Sequence, residues 1–365
     1  MGAVGRIILI VVVILVVALG AMFFLLPNTA SRTETLTIER PAQTVFARLA
    51  STPVGSVITE GVTVSEPATT DGDTITAPVT FADGATGRVI YTVTEQGEGS
   101  QVRVRLEQDI GANPMARFGA IGGGPVSPLI EAAAAGVSND LNALPTESFA
   151  TLNYSVVQVA AQPFFYAENC VPNEPDDIVH ISLEAVAAIP PAMRVNNIQP
   201  VGPLMAVEPR VVDGQYCFQV GYPYSGRAVS SQGLFTKAGQ TPSGTMLRVV
   251  YTGTEEDIYE QVYNPMDALL GAARLDDPST TEDDWTTYEV YHDDPLQEGG
   301  SRNREIFYVT QGDISVLQAI APASEATPVP QAEQPAEPAA TQGETPAEGA
   351  TPAPAEEKQT APATP

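Results

Sequence analysis

Apolar and polar positions change rhythm several times along this chain. From Ile7 to Leu26 no residue is charged, and Ile, Val and Leu dominate. At ~1.5 Å rise per residue such a run crosses a hydrocarbon core of ~30 Å, so it predicts a transmembrane anchor over residues 7–26. Arg6, in the short segment 1–6, favours a cytoplasmic N-terminus. The rival is a cleaved signal peptide: Ala18-Leu19-Gly20 offers small residues, but Met22–Leu26 continue the apolar run, and a signal core is only ~7–15 residues long.

Past Pro27 the period shortens to two. Thr33–Ile38 alternates, Val45, Phe46 and Leu49 fall at helical spacing within Thr44–Ala50, and strand-like runs follow at Val57–Val64, Thr74–Phe81, Arg88–Thr94 and Gln101–Leu106. In the last of these Val102, Val104 and Leu106 alternate with Arg103 and Arg105, as in a half-buried strand. A Gly-rich interruption, Gly119–Pro125, precedes a predicted helix over Pro128–Leu144. Residues 31–145 thus read as an α+β domain ordered strand, short helix, antiparallel strands, long helix.

From residue 150 to 311 a second pattern repeats itself. Tyr154–Val159 and Phe164–Tyr166 are extended, Ile178–Val195 carries a helical face that Pro190-Pro191 should break or restart, and Leu204–Val207 and Gln215–Val220 are strands. The second pass runs from the strand Met246–Tyr251 to a helix lined by Ile258, Val262, Met266, Leu269 and Leu270, then the strands Trp285–Tyr291 and Arg304–Val309. Strand–helix–strand–strand, twice, implies a pseudo-symmetric antiparallel sheet with helices on one face. Beyond it, residues 322–365 hold ten Pro, seven Glu, one Lys and no aromatic residue. Such a tail cannot bury enough apolar surface to fold, and reads as a solvated, disordered segment or an arm for an envelope protein partner.

Two resemblances follow. The segment Ile38-Glu39-Arg40-Pro41-Ala42-Gln43-Thr44-Val45-Phe46 and the element order around it resemble the START-like (SRPBCC, polyketide cyclase) family, whose members often carry an N-terminal membrane helix. No Trp follows the first helix here, and this domain is expected to support its neighbour rather than cradle a ligand. Val250-Tyr251-Thr252-Gly253, Ile258-Tyr259 and Tyr288-Glu289-Val290-Tyr291-His292-Asp293-Asp294-Pro295 resemble the GyrI-like effector-binding domain of multidrug-responsive bacterial regulators. That resemblance implies a ligand cleft faced by Glu289. No helix-turn-helix precedes it, so a regulatory role would not run through direct DNA contact.

Composition narrows the partners. A formal net charge of −27 repels phosphate backbones and argues against nucleic acid. Glu289 shares a strand face with Thr287 and Tyr291, where a carboxylate beside aromatic rings attracts an organic cation. The expected ligand-binding set is Glu289, Tyr291, Tyr251, Tyr259 and Trp285, with Tyr222 and Tyr224 as further aromatics; the ligand class is a hydrophobic small molecule, cations included. The bland alternative is a solvated strand carboxylate with core or rim tyrosines. Cys170 and Cys217 are the only thiols, and outside the inner membrane such a pair suggests a disulfide. No CxxC, HExxH, GxSxG or P-loop occurs, so neither a metal nor a cofactor is expected. The expectation is a single-pass protein of the bacterial inner membrane with its body in the periplasm, binding a small molecule. Hydrolysis by Glu289 and a purely structural envelope role are the alternatives.

Overall fold

The computed structural model describes residues 10–14, 20, 28–111, 114–172, 175–212, 214–227, 236–275, 287–294, 302–310 and 314–320. Most of the apolar run 7–26, residues 276–286 with Trp285, and the Pro-rich tail therefore lie outside the described residues. Among the described residues no helix is long and apolar enough to cross a membrane. The structure thus gives no support to the expected spanning helix, of which only residues 10–14 and 20 are described, in helical conformation.

The chain forms two antiparallel sheets with helices, an α+β fold. In the first sheet β1 (Thr29–Ile38) lies beside β7 (Gly99–Asp109), followed by β6 (Thr86–Gln96), β5 (Thr74–Phe81), β3 (Val62–Val64) and β2 (Val57–Thr59), while β4 (Thr69–Asp71) pairs with β5. The run Val57–Val64, expected as one strand, is a hairpin instead. Gly61 sits at φ 78° in its turn, a conformation that costs other residues steric strain. The strand alternation holds: Ile75, Ala77, Val79, Val89, Tyr91, Val102, Val104 and Leu106 all enter one core. Helices α1 (Ala42–Ala50), α2 (Pro114–Gly119) and α3 (Ser127–Asn142) complete this part, with Val45, Leu49, Ile130, Val137 and Leu141 meeting the same core.

The second sheet is built from β8 (Tyr154–Val159), β9 (Pro163–Pro172), β10 (Gln199–Pro200), β11 (Leu204–Val212), β12 (Gln215–Ser225), β13 (Thr236–Gln240), β14 (Gly244–Gly253), β15 (Thr287–Tyr291) and β16 (Arg302–Val309). Its order is β13-β9-β12-β11-β15-β16-β14-β8, with β10 on β12. Helix α4 (Pro175–Val195) follows β9, and α5 (Asn264–Ala273) follows β14; α6 (Ser315–Ile320) ends the described chain. The duplication is visible in that order. The two halves, β9-β12-β11 and β15-β16-β14, are mirrored in sequence order about the central pair β11–β15.

The first half begins at β8 as the apolar pattern suggests, but the second begins one strand earlier, at β13; β8 pairs with β14 and β13 with β9, each on the other half. Residues 160–162 and 241–243 make both crossings short, so the sheet must curl until its two ends meet. The connections touch: Thr241 N donates to Gln162 O at 2.9 Å, and Gln162 N donates to the Thr241 hydroxyl at 3.0 Å. Inside the curl Val157, Phe164, Met205, Val207, Met246, Tyr288 and Phe307 pack together, with Tyr288 and Phe307 stacked at 4.7 Å. The helices take the opposite face.

Two helices depart from expectation. Helix α4 runs through Pro190-Pro191 without a break, although each proline forgoes the hydrogen bond its missing N–H would make and crowds the carbonyl of the preceding turn. Before α5 the chain makes a π-helical turn, Tyr259–Tyr263. Pro265 offers no N–H to the preceding turn, and the wider turn accommodates it.

The two sheets share α1. Val45 and Leu49 face the first core, while Ala47, fully buried, packs in the second with Met266, Ala268, Leu269 and Ala272. Arg48 locks this contact: its Nε and Nη2 donate to both Asp140 oxygens at 3.0 and 2.8 Å, and its Nη1 donates to Gly271 O at 3.3 Å. Those hydrogen bonds from Arg48 hold the Asp140 carboxyl below its ordinary range, against the opposing effect of partial burial.

Candidate functional site

On the helix-bearing face of the second sheet, α4 packs over Phe165, Ala167, Leu204 and Val220, and α5 over Leu247, Val249, Ile306 and Tyr308. The central pair β11–β15 thus lies along the seam between the two helix-covered halves. Register places Glu289 in that seam, opposite Ala206 on one side and Ile306 on the other. Ala206, the smallest side chain apart from glycine, stands on the β11 side of the carboxylate.

Glu289 is mostly withdrawn from water, its side chain 16% exposed. One oxygen accepts from the Tyr263 hydroxyl, and the other from Arg304 Nη1 at 3.2 Å. Burial lifts its carboxyl above the ordinary range, although Arg304 and a hydrogen bond with Tyr291 pull the other way. The Tyr291 hydroxyl is raised well above its usual value, by burial first and then by the charge of Glu289.

Arg304 is the cation of the cluster. Cross-strand register sets it between Tyr251 and Tyr291, and its guanidinium lies over the Tyr291 ring, 4.6 Å from the centroid. It also donates twice to Glu255, Nη1 to Oε1 at 3.2 Å and Nη2 to Oε2 at 2.6 Å. Arg302 reaches the same Glu255 at 2.9 Å and Asp293 at 3.3 Å. The arrangement is a buried carboxylate and a buried guanidinium that meet over an aromatic ring, with an acidic outer end.

Of the residues singled out in the sequence, Glu289 and Tyr291 come together here. Tyr251 lies nearby but is buried in the α5-side core, its hydroxyl donating to Thr254 O at 2.6 Å. Tyr259 is exposed and meets Tyr263 edge-on at 5.1 Å. Tyr224 packs edge-on against Phe165 at 6.4 Å, and Tyr222 borders the same α4-side core. Trp285 lies outside the described residues. Cys170 and Cys217 stand opposite each other on β9 and β12 and are joined by a disulfide. Among the described residues no cluster of His, Cys, Asp and Glu could hold a metal ion.

Tyr263, Arg304 and Glu255 were missed by sequence reasoning. A signal for Arg304 existed: it alternates with Ile306 and Tyr308, both buried, so it had to share their face. Tyr263 stands four residues after Tyr259, but which way it points depends on the π turn.

No protein-family model matches the chain, and no curated protein does either. Among solved structures it is similar to EcmrR in an EcmrR–DNA complex, at 11% identity over 44% of this chain and 58% of that one, with a TM-score of 0.32. A hydrolase from Listeria innocua matches at 10% identity over 44% of this chain and 92% of that one, with a TM-score of 0.30. The di-domain ARO/CYC BexL from the BE-7585A biosynthetic pathway matches at 13% identity over 77% and 85%, with a TM-score of 0.23. At such scores none of these likenesses carries a functional argument or confirms the GyrI-like resemblance.

Proposed function

We propose that this chain is a membrane-anchored, extracytoplasmic small-molecule-binding protein whose GyrI-like second sheet takes a hydrophobic cation at Glu289. The observation that carries this reading is the seat of Arg304. A guanidinium resting on a tyrosine ring while it meets a desolvated carboxylate is held by the same forces that would hold a ligand cation. An incoming cation displaces it from Glu289, and Arg304 keeps its two hydrogen bonds to Glu255, so neither arginine nor ligand is left unpaired. The apolar run 7–26 is the proposed anchor, and the Cys170–Cys217 disulfide suits an oxidising compartment such as the periplasm.

The test is titration of the purified full-length chain with tetraphenylphosphonium, followed by calorimetry. Glu289→Gln keeps the shape and removes the charge. Binding should weaken at least tenfold, about 1.4 kcal/mol. Equal binding by the variant sinks the reading.

A second reading is favoured by one specific contact. The Tyr263 hydroxyl on Glu289 supplies the polar partner that acid–base hydrolysis would need, beside a carboxyl whose affinity for protons is raised. Ester turnover by the wild-type chain, lost in Glu289→Gln while cation binding is unchanged, would favour hydrolysis over binding.

A further inference from the structure

We propose that α2 and the loop after it form a second membrane contact, in which Met115, Phe118 and Ile121 enter the lipid interface beside the point where the chain leaves the bilayer. The inference rests on the anchor reading of residues 7–26. Its starting point is a patch: Met115 is 78%, Phe118 39% and Ile121 61% exposed, three large apolar side chains within seven residues. Among the described residues, the other exposed large apolar side chains beyond residues 10–14 fall singly or in a pair.

The fold puts this patch at one particular end of the first sheet. Thr29, the first residue of β1, pairs with Asp109 at the end of β7, and Ile110 N donates to Asn28 O at 3.0 Å. From there the chain enters α2, and Arg117 Nε donates back to Gly111 O at 2.9 Å. The loop then returns onto β1. Gly122 and Gly123 adopt φ 84° and 101°, and a Cβ on Gly123 would fall 2.4 Å from Arg32 Cγ, so glycine alone lets the loop lie against Arg32.

Only Pro27 and Asn28 separate the end of the apolar run from β1. Two or three residues span at most about 10 Å, so Thr29, at this end of the sheet, stays within about 10 Å of the proposed bilayer. Apolar side chains in an interfacial segment reach to about 5–10 Å depth, which is the span available here. Arg32 supplies a cation for anionic headgroups, while of the acids at this end Asp109 accepts from the Thr86 hydroxyl at 3.1 Å and Asp83 from Gln108 Nε2 at 3.2 Å.

The experiment uses the full-length chain in a Trp285→Phe background, reconstituted into phosphatidylethanolamine–phosphatidylglycerol vesicles with or without lipids brominated near the interface. Phe118→Trp and Ile121→Trp each place one fluorophore in the patch, and Val195→Trp, on the second sheet's helix α4, is the control. Bromolipid should quench the first two at least twofold and leave the third unchanged. Carbonate extraction of the same vesicles reports on the anchor separately. A carbonate-resistant chain with both patch fluorophores unquenched overturns the lipid contact and leaves the anchor standing. A chain stripped by carbonate overturns the anchor on which the proposal rests. Blue-shifted emission without quenching would mean that protein, a second copy included, covers the patch, and would overturn the proposal too.

Discussion

Replacing Arg304 by methionine leaves most of the apolar stem in place and removes the guanidinium that touches Glu289 at 3.2 Å. Glu255 loses little, since it is 52% exposed and keeps Arg302 at 2.9 Å. Glu289 has two responses open. Staying ionised, it becomes a buried charge without its partner, a change that costs about 3–5 kcal/mol. Taking up a proton at pH 7 costs about 1.4 kcal/mol for each unit separating that pH from its pKa, roughly 3.5 kcal/mol for an ordinary carboxyl and less for one already raised by burial. The cheaper route sets the outcome, so Arg304→Met should lose about 2–3 kcal/mol at pH 7. A carboxyl whose folded value is raised subtracts stability as pH climbs through that window, and the variant raises it further. The deficit should therefore shrink to under about 1 kcal/mol at pH 4, below the ordinary carboxyl range, because a carboxyl raised by burial is the first to take up its proton as pH falls. Urea denaturation followed by circular dichroism at both pH values measures it, and Arg304→Met with Glu289→Gln should recover at least half of the loss at pH 7. An equal deficit at both pH values, unrescued by the second substitution, would refute the reasoning.

The contact between the two sheets is open to a similar test. Asp140→Asn should cost about 1 kcal/mol at neutral pH, a modest figure because the carboxylate is 42% exposed and water screens it. Arg48 depresses the Asp140 carboxyl, so its stabilisation is present above the ordinary carboxylate range and lost as pH falls through the depressed value. Wild type and variant should accordingly converge in acid, and urea midpoints that stay apart there would contradict the assignment. Alkylation of the denatured, unreduced chain should label neither Cys170 nor Cys217. Reduction should lower stability by about 2–4 kcal/mol, as expected for a closed loop with a sequence separation of 47.

The strand alternation was legible without coordinates because a pleated strand turns every second side chain the same way. Val102, Val104 and Leu106 are buried as the pattern predicts, and Glu289 does share its face with Tyr291 rather than with Tyr288. The duplicated strand–helix–strand–strand order was likewise local, carried by runs whose period identifies them one at a time. What the period could not reach is anything set by register or by distant partners. Strand β13 reads Thr-Lys-Ala-Gly-Gln, with no alternation to announce it, and exists because the curled sheet offers β9 an open edge. The partner of Glu289 was decided by the pairing of Tyr291 with Arg304 across β15 and β16, which brings a guanidinium beside a carboxylate fifteen residues away in sequence. Tyr263 reaches the same oxygen pair only because a π turn precedes Pro265. A single chain carries the periodicity of its own strands and helices, whereas the charge of a buried site is balanced by whichever side chains folding brings within hydrogen-bond distance. That balance belongs to the tertiary structure.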